Sequence, residues 1–195
     1  MPQACGLHLT EEIKNSSEVL ANLKIIKPEK IGGESVKTKD IARAVIFVAI
    51  AVALSPFFIP VGISKCFPAQ HMVNVMSAVM LGPAYAVGIA FIAAIIRNIL
   101  GLGTLLAFPG GMIGALLAGL AYRQLKNLYF AGLGEIIGTG LLGALVSVWI
   151  VGPLLMSKSM AVVTLIIAFS VSTLGGTIIG IIALKLLQKA GIWEA

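Results

Sequence analysis

From residue 41 onward the chain alternates long apolar runs with short polar breaks, and it does so on the scale of a bilayer rather than of a soluble core. A crossing helix needs about 20 apolar residues for a hydrocarbon layer of about 30 Å. Residues 41–60 (IARAVIFVAIAVALSPFFIP) have that length. A second run extends from His71 to Ile96, a third from Ile99 to Ala121 with Phe108-Pro109-Gly110-Gly111 inside it, and two more cover about 128–155 and 160–188. The run 71–96 contains Gly82-Pro83. Proline lacks a backbone donor and disfavours helix at the residue before it, so this dipeptide either kinks one helix or separates two.

Charge arbitrates between five spans and six. Cytoplasmic flanks are enriched in Lys and Arg. With a break at Gly82 and the N-terminus inside, the inner flanks hold Lys37, Lys39, Arg43, Arg123, Lys126, Lys185 and Lys189, and the outer side holds Lys65, Arg97 and Lys158. That is seven against three, whereas five spans give five against five. The expectation is an all-α integral membrane protein of six transmembrane helices with both termini cytoplasmic, placed in a prokaryotic plasma membrane.

Composition sharpens this. Of 195 residues 58% are hydrophobic and 11% charged, with a mean hydropathy of +1.03. A soluble domain of this length carries far more charge. Residues 1–40 hold six Lys and six acids and are neutral, so the net charge of +6 comes from the remaining eight Lys/Arg and two acids, Glu135 and Glu194. These basic residues stand singly between apolar runs, which fits loops at a membrane surface and argues against a nucleic-acid-binding face. Residues 1–40 read as a cytosolic extension that is poorly ordered. Within it, residues 9–27 can form a helix, and Ile31-Gly32-Gly33 reads as a joint. Residues 41–190 form the transmembrane domain.

The chemistry excludes several functions. There is no G-x-x-x-x-G-K-[ST] phosphate loop, so the chain does not hydrolyse ATP by itself. Two histidines (His8, His71) and two cysteines (Cys5, Cys66) make no metal or haem set. Ser and Thr lack a neighbouring His and acid, so a hydrolase triad is not expected and no cofactor is implied.

A sparse set of polar side chains remains inside the apolar runs, and such groups face a cavity or a partner. Gln70, His71 and Asn74 fall within about one turn, with His71 and Asn74 three apart on one helix face. They either contact a small heteroaromatic or hydroxylated ligand or satisfy one another and nearby carbonyls. Arg97 and the adjacent Asn98 end the third span; Arg97 either anchors a ligand or snorkels to the interface. Phe108 and Trp149 either stack on a planar ligand or anchor the membrane interface. Glu135 is the only acid between Arg43 and Trp193. It is expected to pair with Arg123 or Lys126 at the cytoplasmic interface, leaving a mostly uncharged outer pocket. Ala49 and Ala53 make a small-xxx-small pair on the first span, suited to packing or to docking another membrane subunit. Residues 61–69, bracketed by Gly62 and Pro68, form a candidate outer gate.

The stretch PVGISKCFPAQHMVNVMSAVMLGP from Pro60, followed by RNILGLGTLLAFPGGMIGALLAG from Arg97, resembles the ThiW family over residues 41–190. ThiW proteins are substrate-binding S components of energy-coupling factor (ECF) transporters. The resemblance implies a six-helix protein without enzymatic activity that binds a thiamine precursor, hydroxyethylthiazole, near the outer face. It also implies docking on a transmembrane T component that carries two ATPase subunits. Two other functions stay open on the residues alone. One is a stand-alone secondary transporter coupled to protons through Glu135 or His71; the other is a membrane enzyme or assembly factor, which would need an acid–base or metal cluster.

Overall fold

The computed structural model describes residues 30–31, 34–35, 38–61, 64–155 and 161–193. The helix expected at 9–27 lies outside them, as do Gly32 and Gly33. The chain divides into two units, Met1–Thr38 and Lys39–Ala195. In the first, β1 (Lys30–Ile31) pairs antiparallel with β2 (Glu34–Ser35). The second is helical, apart from one short antiparallel pair, β3 (Ile59–Val61) and β4 (Ser64–Cys66).

Six helices account for most of the described residues: α1 (Thr38–Ala53), α2 (Pro68–Leu81), α3 (Pro83–Ile99), α4 (Ala107–Leu125), α5 (Leu128–Leu154) and α6 (Val162–Lys189). Helices α5 and α6 are long and apolar enough, by length and composition, to cross a membrane, and α3 is a shorter apolar helix. Helix α5 is not uniformly α-helical: Ile136–Gly143 and Ser147–Val151 are π-helical.

The Gly82-Pro83 dipeptide separates two helices. Gly82 takes φ 90°, a left-handed backbone that Gly adopts without a Cβ penalty, and Pro83 starts α3 where its missing N–H costs nothing. The first apolar run departs from expectation. It is helical only to Ala53, about 24 Å long at 1.5 Å per residue. The Ser55 hydroxyl donates to Ala51 O at 2.7 Å, and Pro56 turns the chain away. The rest of the run enters the β3–β4 hairpin. Phe108-Pro109-Gly110-Gly111 lies within the first turns of α4.

Helices α2 and α4 occupy the centre of this unit. Phe47 and Ala51 of α1 pack with Val73 of α2 and Ile89 and Ala93 of α3. Between α2, α3 and α4 the buried contacts are alanines: Ala78, Ala86, Ala90, Ala115 and Ala118. Along α4 and α5 glycines face backbone directly. A methyl added at Gly143 would sit 2.5 Å from Gly110 Cα, at Gly138 2.7 Å from Gly114 Cα, and at Gly134 2.6 Å from Leu117 O. Such small-residue surfaces bring helix backbones into contact where lipid supplies no hydrophobic drive.

Candidate functional site

The first turns of α2 are set by Pro68 at its start and by Phe67 just before it, whose backbone N–H donates to Ser172 Oγ of α6 at 2.8 Å. On the α6 side, Gly176 leaves no room for a side chain: a methyl there would lie 2.7 Å from His71 Cβ. This bare contact turns Gln70, His71 and Asn74 inward, and all three are buried.

His71 and Asn74 converge on a residue placed elsewhere by the sequence reading. Glu135 is 0% exposed and does not pair with Arg123 or Lys126 at an interface. Asn127 caps α5, its Oδ1 accepting from Tyr129 N at 2.9 Å, so Glu135 lies two turns inside the helix on its inward face. Its Oε1 accepts from His71 Nδ1 at 2.8 Å, from Asn74 Nδ2 at 3.0 Å and from Thr139 Oγ1 at 3.1 Å. The second Asn74 amide proton reaches Gly111 O at 3.1 Å, and the Thr139 hydroxyl also lies 2.8 Å from Gly110 O. Burying a carboxylate costs heavily unless donors replace water; here His71 and Asn74 do so, with the one Thr139 proton shared between Oε1 and Gly110 O. The other oxygen, Oε2, is buried without a hydrogen-bond partner among the described residues. A methyl at Gly114 would lie 2.6 Å from it.

Arg97 stands at the other end of the cluster. It does not snorkel: at 2% exposure it is the largest fully buried side chain among the described residues. Its Nη1 donates to Gln70 Oε1, and the guanidinium carbon lies 4.6 Å from the centroid of the Phe67 ring, a cation–π contact. Nε and Nη2 have no hydrogen-bond partner among the described residues. Gly111 makes room for Gln70, since a methyl there would lie 2.7 Å from Gln70 Nε2.

Of the residues singled out from sequence, Gln70, His71, Asn74 and Arg97 are thus brought together. Asn98 is turned to the chain following α3, donating to Ala94 O at 2.8 Å and Thr104 O at 3.3 Å. Phe108 packs edge-on against Phe91 with centroids 5.8 Å apart. Trp149 is 69% exposed on α5. Ala49 and Ala53 lie on the exposed side of α1. Sequence reasoning missed Phe67, Thr139 and the glycine carbonyls, and it misplaced Glu135. The signal for Glu135 was there: a lone acid in an apolar run, with a hydroxyl one turn later at Thr139. The cluster itself is not uncharged: it holds a guanidinium, a carboxylate and an imidazole. Among the described residues no group of three or more His, Cys, Asp or Glu is placed to hold a metal ion.

Long apolar helices enclosing buried, incompletely satisfied charges define a helical membrane protein with an internal polar site, since ionisable groups at such depth face a partner, a cavity or a substrate path. The family profile described as thiamine-precursor transporter protein (ThiW) matches residues 41–190, and the chain belongs to that family. It is a transporter of the thiamine-precursor class, acting on a small molecule in a membrane. No curated protein matches the chain.

Proposed function

We propose that the chain is the substrate-binding S subunit of an ECF-type importer and that it takes up hydroxyethylthiazole. The observation that carries this is the buried cluster of Gln70, His71, Asn74, Arg97 and Glu135, which offers unpartnered donors at Arg97 and an unpartnered acceptor at Glu135. A thiazole ring nitrogen and a hydroxyl supply the complementary acceptor and donor. The six helices serve as six spans of the cell membrane, with both termini cytoplasmic, as the distribution of Lys and Arg favours. Uptake energy comes from outside the chain, from a T component and two ATPases, since the sequence has no phosphate loop. The exposed Ala49 and Ala53 of α1 offer the T component a close-packing surface. Phe108, Asn98 and Trp149 complete the ligand contacts only if their segments move on binding.

Calorimetry on the purified chain in detergent, comparing hydroxyethylthiazole, thiamine and the pyrimidine precursor, tests this reading. Saturable binding of the thiazole alone, without ATP, is the expected outcome, and no binding of any of the three removes this substrate assignment. His71→Ala and Asn74→Ala are each expected to weaken binding about tenfold, the loss of one hydrogen bond to a charged network at ~1.4 kcal/mol. Normal affinity in both variants would place the site elsewhere.

The β3–β4 hairpin, with the chain that leads into α2, serves as the gate. Cys66 reports on it: its thiol is buried, donates to Ala168 O at 3.3 Å, and is pushed up in pKa by that burial. A raised pKa leaves less thiolate at neutral pH, so alkylation of Cys66 is expected to be slow there and to accelerate as pH rises. Measured in a Cys5→Ser background, saturating ligand is expected to slow it further by holding the hairpin closed. Equal rates with and without ligand would rule the hairpin out as the gate.

The His71–Glu135 pair also favours a second reading, proton-coupled transport by the chain alone. Uptake into vesicles containing this chain and no ATPase, abolished by an uncoupler, would establish it.

A further inference from the structure

Arg97 and Glu135 are both inside the protein, yet neither neutralises the other by contact. The guanidinium is held by a neutral amide, Gln70, and by the face of Phe67. The carboxylate is held by His71, Asn74 and Thr139, all through Oε1. Gln70 and Asn74 stand one turn apart on α2 and both lie against the bare Cα of Gly111, so one helix edge links the two charges. A structural ion pair would bring the fork of Arg97 onto the carboxylate and use both oxygens. Here Nε and Nη2 are left over at one end and Oε2 at the other, all buried.

We infer that Arg97 and Glu135 act as two opposed charge filters that restrict the site to an uncharged ligand carrying one acceptor and one hydroxyl. This rests on the substrate reading above. An acceptor on the ligand takes the spare N–H groups of Arg97, and its hydroxyl donates to Glu135 Oε2. A ligand with a fixed positive charge meets the guanidinium with no carboxylate in contact with it to offset the repulsion. A phosphorylated ligand brings its anion, in place of the hydroxyl, up against the negative charge of Glu135. Each charge acts most strongly on the end of the ligand that it meets, and burial strengthens both relative to water.

The test is calorimetry on the intact chain with three probes: hydroxyethylthiazole, its phosphomonoester and its N-methyl thiazolium salt. The wild type is expected to bind the alcohol at least tenfold more tightly than either charged form. Glu135→Gln keeps the shape and the Oε1 acceptor but removes the negative charge. It is expected to narrow the gap between alcohol and phosphomonoester by about tenfold while leaving the gap to the thiazolium unchanged. Arg97→Gln is expected to do the reverse. General damage to the site would lower all three affinities together, so opposite movements of the two gaps are specific to charge filtering. Wild-type binding of either charged form as tightly as the alcohol overturns the inference without any variant. So do gaps that stay fixed or move together in the variants, with the substrate reading intact in both cases. If the wild type binds none of the three, the substrate reading fails first and the inference with it.

Discussion

Gly114→Ala is expected to weaken ligand binding by roughly tenfold to a hundredfold while leaving the helices in place. The added methyl would lie 2.6 Å from Glu135 Oε2 and 2.9 Å from its carboxyl carbon, and it would collide with Thr139 Oγ1 as well. Overfilling a packed site typically costs ~1–3 kcal/mol, and each ~1.4 kcal/mol is tenfold in affinity. The strain falls on the one face of the carboxylate that carries no internal hydrogen bond, where the ligand hydroxyl is proposed to donate. Gly88→Ala is the matched control, because a methyl there meets nothing within 4 Å. Calorimetry on both variants checks the expectation. Unchanged affinity in Gly114→Ala would mean that the ligand does not approach Oε2.

The largest expected loss of stability follows from Glu135→Ala. Glu135 Oε1 takes one proton each from His71 and Asn74, and truncation leaves both of those buried donors without an acceptor, while Thr139 keeps Gly110 O and Arg97 keeps its charge. Breaking a buried charge network by removing one partner costs ~3–5 kcal/mol. For a chain of this size that is a fall of roughly 10 °C in Tm. Thermal unfolding in detergent, followed with Glu135→Gln alongside, separates lost hydrogen bonds from lost charge. The glutamine still accepts at one oxygen and is expected to recover about half of the fall. A melting point in Glu135→Ala within a degree or two of wild type would show that the cluster is not a stabilising network.

Much of the helical framework was legible because long apolar runs admit few alternatives. Helices α5 and α6 lie within two residues of the runs 128–155 and 160–188. The separation of α2 from α3 followed from Gly82-Pro83 once charge placement was weighed. The early end of α1 was not legible: LSPFFIP is as apolar as the helix before it, and hydropathy does not distinguish a hairpin strand from a helix end. In the site, Gln70, His71 and Asn74 were visible as polar groups within one turn. Their partner was not, since Glu135 lies 64 positions from His71. Local charge balance pointed Glu135 towards the nearby Arg123 and Lys126. Which face of α5 turns inward depends on packing against Gly110 and Gly114 of α4, and no reading of a single segment supplies that.

The glycine contacts between α4 and α5 have a consequence for how a molecule reaches the cluster. Where backbone rests on backbone, as at Gly110 with Gly143 and Gly114 with Gly138, the glycines have no side chain to swing aside, and the Glu135 and Thr139 side chains that reach this seam are held within the cluster. That seam is a closed wall. The β3–β4 hairpin, by contrast, is tied to α6 by the Cys66 thiol and Ala168 O, and the chain just before α2 by Phe67 N and Ser172 Oγ, two single hydrogen bonds. If the hairpin is the gate proposed above, traffic to and from Arg97 and Glu135 passes on its side, and α4 and α5 form the fixed backstop.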